Sequence, residues 1–208
     1  WDVLGGRVAV AVSGGASDRV SLLRWWPGGD GEPEEELPLS AGVGITDVSV
    51  AHQQDATYAA ASCTDGTLHL IDASPGRPVS VVRTAYSHGK AATAVRLSSD
   101  ALCVASGGAS GHVLVQPFSG SVGPSPLPGV GGHGAEGAVT GLRFSSLRAD
   151  ALAASDMAGN VQVWDARALR HICRFPRAHS SAARGLAFSS QNSDLLISCG
   201  SDAQLVFW

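Results

Sequence analysis

His179, Ser198 and Asp202 are the three side chains of this chain that together could run a reaction. A serine hydroxyl beside a histidine, with the other ring nitrogen held by a carboxylate, is the arrangement that attacks acyl groups. The same three residue types also make a buried hydrogen-bond chain, so the elements beneath them must decide. Other reactive patterns fail on spacing. Cys63, Cys103, Cys173 and Cys199 include no Cys-x-x-Cys and no paired His/Cys spacing suited to zinc. They fall in or beside expected strands and read as free thiols of a reducing compartment. Gly107-Gly108-Ala109-Ser110-Gly111 and Gly129-Val130-Gly131-Gly132 lack the Lys-Ser/Thr and the following helix of a phosphate loop. There is no nucleophile elbow and no His-Glu-x-x-His. No catalytic residue, cofactor or metal site is assigned, and the chain reads as a non-enzyme. The rival is an enzyme working through a central channel, which would need convergent acid/base or metal groups on its loops.

The positions around these residues repeat. Tight-turn positions fall at Arg19, Gly66, Gly111, Gly159 and Ala203, spaced 47, 45, 48 and 44 residues apart. The fourth repeat opens with Gly132-His133 and closes on Val161-Gln162-Val163-Trp164-Asp165. A period in this range, with Gly-His upstream and Trp-Asp at the close, is the mark of a β-propeller blade. Five units are expected, at 6–38, 41–83, 87–128, 132–175 and 178–208. Within them, runs such as Tyr58-Ala59-Ala60-Ala61-Ser62 and Leu68-His69-Leu70-Ile71 flank Asp65-Gly66, a pair suited to a two-residue hairpin. Pro27 to Glu36, with its acidic run, reads as a surface loop, and Ser119 to Pro128 as an exposed connection.

Composition agrees with short-stranded β structure. The 208 residues are 44% apolar, enough for a core, with 26 glycines and 6% aromatics. The formal net charge of −4 argues against nucleic acid or an anionic membrane as the main partner. No apolar run approaches the ~20 residues that span a bilayer, and no leader is visible. The chain begins Trp1-Asp2, which reads as the tail of an earlier blade in a longer protein. Positive charge concentrates at Arg167, Arg170, Arg174, Arg177 and Arg184, beside His171 and His179. This is either a solvated blade edge or a patch for a protein partner.

The repeats resemble the WD40 family. The resemblance implies an all-β propeller, with five consecutive blades of a seven-bladed ring standing as an open arc. It also implies a role for the reactive trio. Blades of that family often link a His before the first strand, a Ser/Thr on the second, an Asp in the hairpin and a Trp on the third. Only the fifth unit has all four, as His179, Ser198, Asp202 and Trp208. The fourth has His133 and Trp164 but Ala158 at the Asp position; the third has His88 but Gln116 at the Trp position. The set is therefore structural, and Trp208 is expected to matter more than Trp164.

A narrower resemblance covers roughly residues 85–208. It rests on Gly132-His133-Gly134, Val139-Thr140-Gly141-Leu142-Arg143-Phe144-Ser145, Val161 to Asp165, and Ala178-His179 through Gly185-Leu186-Ala187-Phe188-Ser189. This succession is similar to WD40 adaptors that bring γ-tubulin ring complexes to centrosomes and spindles. It implies a cytoplasmic, cytoskeletal scaffold with γ-tubulin-complex, centrosomal or spindle proteins as partners. Trp164-Asp165-Ala166-Arg167 gives the alternative, because it resembles the box by which some WD40 substrate receptors dock on cullin-type ubiquitin ligases.

Overall fold

The computed structural model describes residues 43–128 and 137–208, and before them the strand backbones at 2–4, 7–13, 20–25 and 35–38. Nineteen strands form five antiparallel sheets, and no helix occurs among the described residues. The first sheet is β1 (Asp2–Leu4), β2 (Arg7–Ser13), β3 (Val20–Trp25) and β4 (Glu35–Pro38). The second is β5 (Ile45–Gln53), β6 (Ala56–Cys63), β7 (Thr67–Asp72) and β8 (Ser80–Tyr86). The third is β9 (Ala92–Leu97), β10 (Cys103–Gly108), β11 (Val113–Pro117) and β12 (Ser125–Pro126). The fourth is β13 (Val139–Phe144), β14 (Ala151–Asp156), β15 (Val161–Asp165) and β16 (Arg170–Phe175). The fifth has three strands, β17 (Ala183–Phe188), β18 (Leu196–Gly200) and β19 (Leu205–Phe207).

Each sheet is a meander, and the sheets pack in chain order through their first strands: β5 on β9, β9 on β13, β13 on β17, with β1 and β2 against β5. The core is correspondingly divided. Leu68, Leu70, Val95 and Val104 fill the space between the second and third sheets. Val113, Val115, Leu142, Leu152 and Trp164 fill the next, and Val161, Val163, Leu186 and Leu196 the last. Small residues such as Ala59, Ala60 and Ala61 let the sheets approach. This face-to-face stacking of radial sheets is propeller architecture.

Three expectations change at the edges of the units. Asp2–Leu4 is not a foreign tail, since Asp2 pairs with Ala9 and Leu4 with Arg7 inside the first sheet. That sheet therefore starts before residue 6. Glu35 and Glu36 do not continue the acidic loop but pair with Arg24 and Leu23 as part of β4; facing a strand that offers free backbone groups outweighs their low β-propensity. Within the Ser119 to Pro128 connection, Ser125–Pro126 pairs with Val115 and Leu114, and Leu127 is buried. The Arg19 turn, residues 26–34 of the acidic stretch, and Gly132-His133-Gly134 lie outside the described residues.

Candidate functional site: a polar chain in the fifth blade and an arginine edge

The four side chains picked out in the fifth unit are joined end to end. Trp208 Nε1 donates to Ser198 Oγ at 2.9 Å. Ser198 Oγ lies 2.7 Å from His179 Nε2, and His179 Nδ1 lies 3.0 Å from Asp202 Oδ1. The ends fix the direction, because an indole can only donate and a carboxylate only accept. In the neutral-ring form of the chain, Nδ1 donates to Asp202, and Ser198 donates to Nε2 while accepting from Trp208. His179 and Ser198 are each 1% exposed. Burial pushes the Asp202 carboxyl up, but amide donation from Ser180 and Gln204 and the His179 ring outweigh it and hold Asp202 below the usual carboxylate range.

This geometry argues against acyl chemistry. A hydrolytic serine must present Oγ to a substrate, with the histidine free to take its proton. Here Oγ is buried and receives the Trp208 indole, itself stacked on the Phe175 ring with centroids 4.1 Å apart. Among the described residues no cluster of three or more His, Cys, Asp or Glu is placed to hold a metal. All four cysteines are free thiols, and burial raises Cys63, Cys103 and Cys173 above the usual thiol range, which keeps them protonated. A polar hollow of about 400 Å³ lies at the β5–β6 and β7–β8 turns, lined by Gln53, Asp55, Tyr58, Asp72 and Arg77. It holds no nucleophile–base pair, and Asp72 is spent on the Ser74 hydroxyl and amide. No helix among the described residues is long and apolar enough to cross a membrane.

The neighbouring sheets carry fragments of the same chain. His88 Nε2 meets Ser106 Oγ at 3.0 Å in the third sheet, where Gln116 replaces the tryptophan and accepts instead from Arg83. Desolvation, then the nearby His112, lowers the His88 pKa to about 4, so this ring is neutral. In the fourth sheet Trp164 is fully buried and donates to the Pro128 carbonyl at 2.9 Å.

A second set of polar contacts escaped the sequence reading. Thr46, Thr93 and Thr140 recur at intervals of 47 residues, each at a bulge in the first strand of its sheet. Each hydroxyl donates to a carbonyl of the next sheet's first strand. Thr46 reaches Ala92 at 2.6 Å, Thr93 reaches Val139 at 2.7 Å, and Thr140 reaches Ala183. A bulge leaves a carbonyl outside the ladder, and the threonine of the preceding blade meets it. Asp47 adds a stitch of its own, accepting from the Val95 amide at 3.0 Å and Arg96 at 2.6 Å. The regular spacing was visible in the chain; the partner carbonyls were not.

The five arginines do not form one patch. Arg167 and Arg170 lie at the β15–β16 turn. Arg167 is ion-paired with Asp100 of the third sheet, and Arg170 lies 4.0 Å from Asp165. Arg174 is exposed next to the last residue of β16, opposite Gln162. Arg177 follows β16 at the other end of the blade, and Arg184 is the second residue of β17 there. Antiparallel order puts the β14–β15 hairpin, Arg177, Arg184 and the β18–β19 hairpin at one end, and the β13–β14 and β15–β16 turns at the opposite end. In the Trp164-Asp165-Ala166-Arg167 segment, Asp165 Oδ1 accepts the Arg167 and Ala168 amides, and the Arg167 guanidinium is taken up by Asp100. The box residue is thus engaged in holding two blades together.

Comparison with known proteins agrees with this architecture. The family model described as WD domain, G-beta repeat, matches residues 170–208, which is β16 together with the whole fifth sheet. Protein NEDD1 of Homo sapiens is 24% identical over 177 residues, covering 85% of this chain and 26% of that protein. The chain thus spans about a quarter of that relative's length. Among solved structures, a chain in the crystal structure of the mitotic checkpoint complex superposes with a TM-score of 0.72 at 22% identity, over 97% of this chain and 59% of that one. The computationally designed Ika8 protein gives 0.68 at 21% identity, over 92% of this chain and 55% of its own, and the designed Ika4 protein 0.60 at 22%, over 79% and 90%. At these identities the structural likenesses speak to fold. With one WD-domain repeat matched in sequence at residues 170–208 and the other sheets stacked in the same way, the chain has a β-propeller fold.

Proposed function

We propose that this chain is the propeller segment of a non-catalytic adaptor that targets the γ-tubulin ring complex for microtubule nucleation at the centrosome or spindle. One observation carries the reading: the similarity to Protein NEDD1 extends along 85% of the chain and is not confined to one repeat. The motif succession from Gly132-His133-Gly134 to Ser189 supports it from the sequence side. So does the chemistry, since the one Ser/His/Asp set is consumed in holding a blade together. Function then rests on surfaces that bind proteins in the cytoplasm, with no cofactor. Of the five arginines, Arg177 and Arg184, which share the hairpin end of the fourth and fifth sheets, are the candidate binding surface. The test is co-purification from cell extract with the full-length protein as bait. γ-Tubulin should be enriched; recovery of a cullin adaptor in its place would overturn the reading.

A further inference from the structure

Arg177 and Arg184 are the wrong residues for the backbone they occupy. Arg177 has φ 50°, the left-handed region, where a side chain with a Cβ is disfavoured and glycine or asparagine is usual. Buried Asn160 holds it there. Its Oδ1 accepts the Arg177 amide at 3.0 Å, while its Nδ2 donates to Asp156 at 2.8 Å. The Arg177 side chain is left exposed. Arg184 breaks a different rule. It stands at the bulge where Thr46, Thr93 and Thr140 stand in the preceding sheets. It is exposed, with Nε on Ser201 Oγ at 3.1 Å. Two positions with local preferences for glycine and threonine both carry a guanidinium.

They also share one end of the fourth and fifth sheets. The link between them is pinned along its length: His179 N to Gly159 O at 3.0 Å, Ser180 N to Asp202 Oδ2 at 3.0 Å, and Ser201 N to Ala182 O at 2.8 Å. Neither guanidinium makes an ion pair among the described residues, whereas Arg148, Arg167 and Arg170 all do. The carboxylate of Asp202, in the β18–β19 hairpin at this end, is consumed by His179 and two amides. Charge is segregated along the chain as well. Residues 137–208 carry 7 Arg/Lys and 5 Asp/Glu, a net of +2, against 7 and 13, a net of −6, for residues 1–136.

We propose that Arg177 and Arg184 form a docking site for a carboxylate-rich segment of a partner protein, laid across the hairpin end of the fourth and fifth blades. This rests on the adaptor reading and names the chemistry of one partner surface. Two guanidinium forks with no ion pair among the described residues, on a pinned backbone, match carboxylates. Arg167 and Arg170 do not take part, because they are paired at the opposite end.

The geometry supplies unusually clean variants. Arg177→Gly suits the left-handed backbone, and Arg184→Thr restores the residue of the other blades. The full-length protein carrying both should melt no lower than wild type. Its binding to a fluorescent ten-residue oligoglutamate peptide, measured by anisotropy at low salt, should weaken roughly three- to tenfold, as expected for two exposed charge pairs. Wild-type binding should also weaken with added salt. Arg167→Gln with Arg170→Gln should bind the peptide like wild type. Equal weakening in both double variants, or no wild-type binding, overturns the site. So does peptide binding that tracks self-association of the protein, since the acidic run Glu32 to Glu36 of a second copy would then be the occupant. γ-Tubulin co-purification is scored separately. Its failure with peptide binding intact removes the microtubule reading and leaves the carboxylate site standing.

Discussion

Ser198→Ala should cost more than any other serine-to-alanine change in the described blades. Ser198 Oγ serves two partners at once, accepting from Trp208 Nε1 at 2.9 Å and donating to His179 Nε2 at 2.7 Å. Removing it deletes both bonds and strands two ring nitrogens. A net hydrogen bond is worth about 1 kcal/mol, and a buried group left without a partner costs about 1–3 kcal/mol. The expected loss is about 3–4 kcal/mol after allowing for overlap between these terms. Ser106→Ala in the third sheet is the internal control, because Ser106 meets only His88 and no tryptophan. Its expected loss is about 1–2 kcal/mol. Urea midpoints of the full-length variants give the comparison, and amide exchange in β18 localises it. Trp208→Phe in the Ser198→Ala background should cost less than Trp208→Phe alone, since the stranded donor has already lost its acceptor. Equal losses for Ser198→Ala and Ser106→Ala, with additive double variants, would refute the view that the four side chains act as one chain.

Thr93→Val keeps shape and deletes the hydroxyl that reaches Val139 O at 2.7 Å and Gly107 O at 3.1 Å; it should lower stability by about 1–2 kcal/mol in chemical denaturation. Gly159→Ala should cost about 3 kcal/mol or more, because φ is +86° and the new Cβ would stand 2.2 Å from His179 O and 2.7 Å from Ser181 O; an intact urea midpoint would contradict the latch between hairpin and incoming chain. His88 titrates near 4 in the fold, below its unfolded value of about 6.5, so the folded state binds fewer protons between them. Its contribution is whole above pH ~6.5 and lost as pH falls toward 4, with a ceiling of about 3 kcal/mol before discount for residual solvent contact; His88→Gln should flatten the pH dependence of the midpoint in that window.

Much of the fold was legible because a propeller repeats its punctuation. Gly66, Gly111 and Gly159 all adopt positive φ at their hairpins, and Ala203 at φ 61° holds the same place in the fifth sheet. Alternation of small apolar residues marked the strands between them. What was not legible depends on a second blade. Nothing in Asp2-Val3-Leu4 says that it pairs with Arg7 to Ala9 and not with an absent strand. Nothing in Thr46, Thr93 and Thr140 names the carbonyls they reach 43 to 46 residues later. Burial argues against the expected ranking of the tryptophans for the same reason. Trp164 lacks the polar chain, yet it is the largest fully buried side chain and has found the Pro128 carbonyl, while Trp208 is only partly buried. Its cavity cost should equal or exceed that of Trp208.

The arginine edge shows how the same limit applies to function. Composition counted Arg167, Arg170, Arg174, Arg177 and Arg184 as one concentration of charge. Folding divides them, because an antiparallel meander sends the two ends of β16 to opposite ends of the blade. At one end the guanidinium of Arg167 spans to Asp100 and ties the fourth sheet to the third. At the other, Asn160 fixes Arg177 in a backbone conformation that an arginine would not choose. A charge that closes an ion pair between blades is already spent on the fold, whereas one held exposed against its local preference is available to a partner. The strain at Arg177 and the departure from threonine at Arg184 therefore carry more information about binding than the number of arginines does.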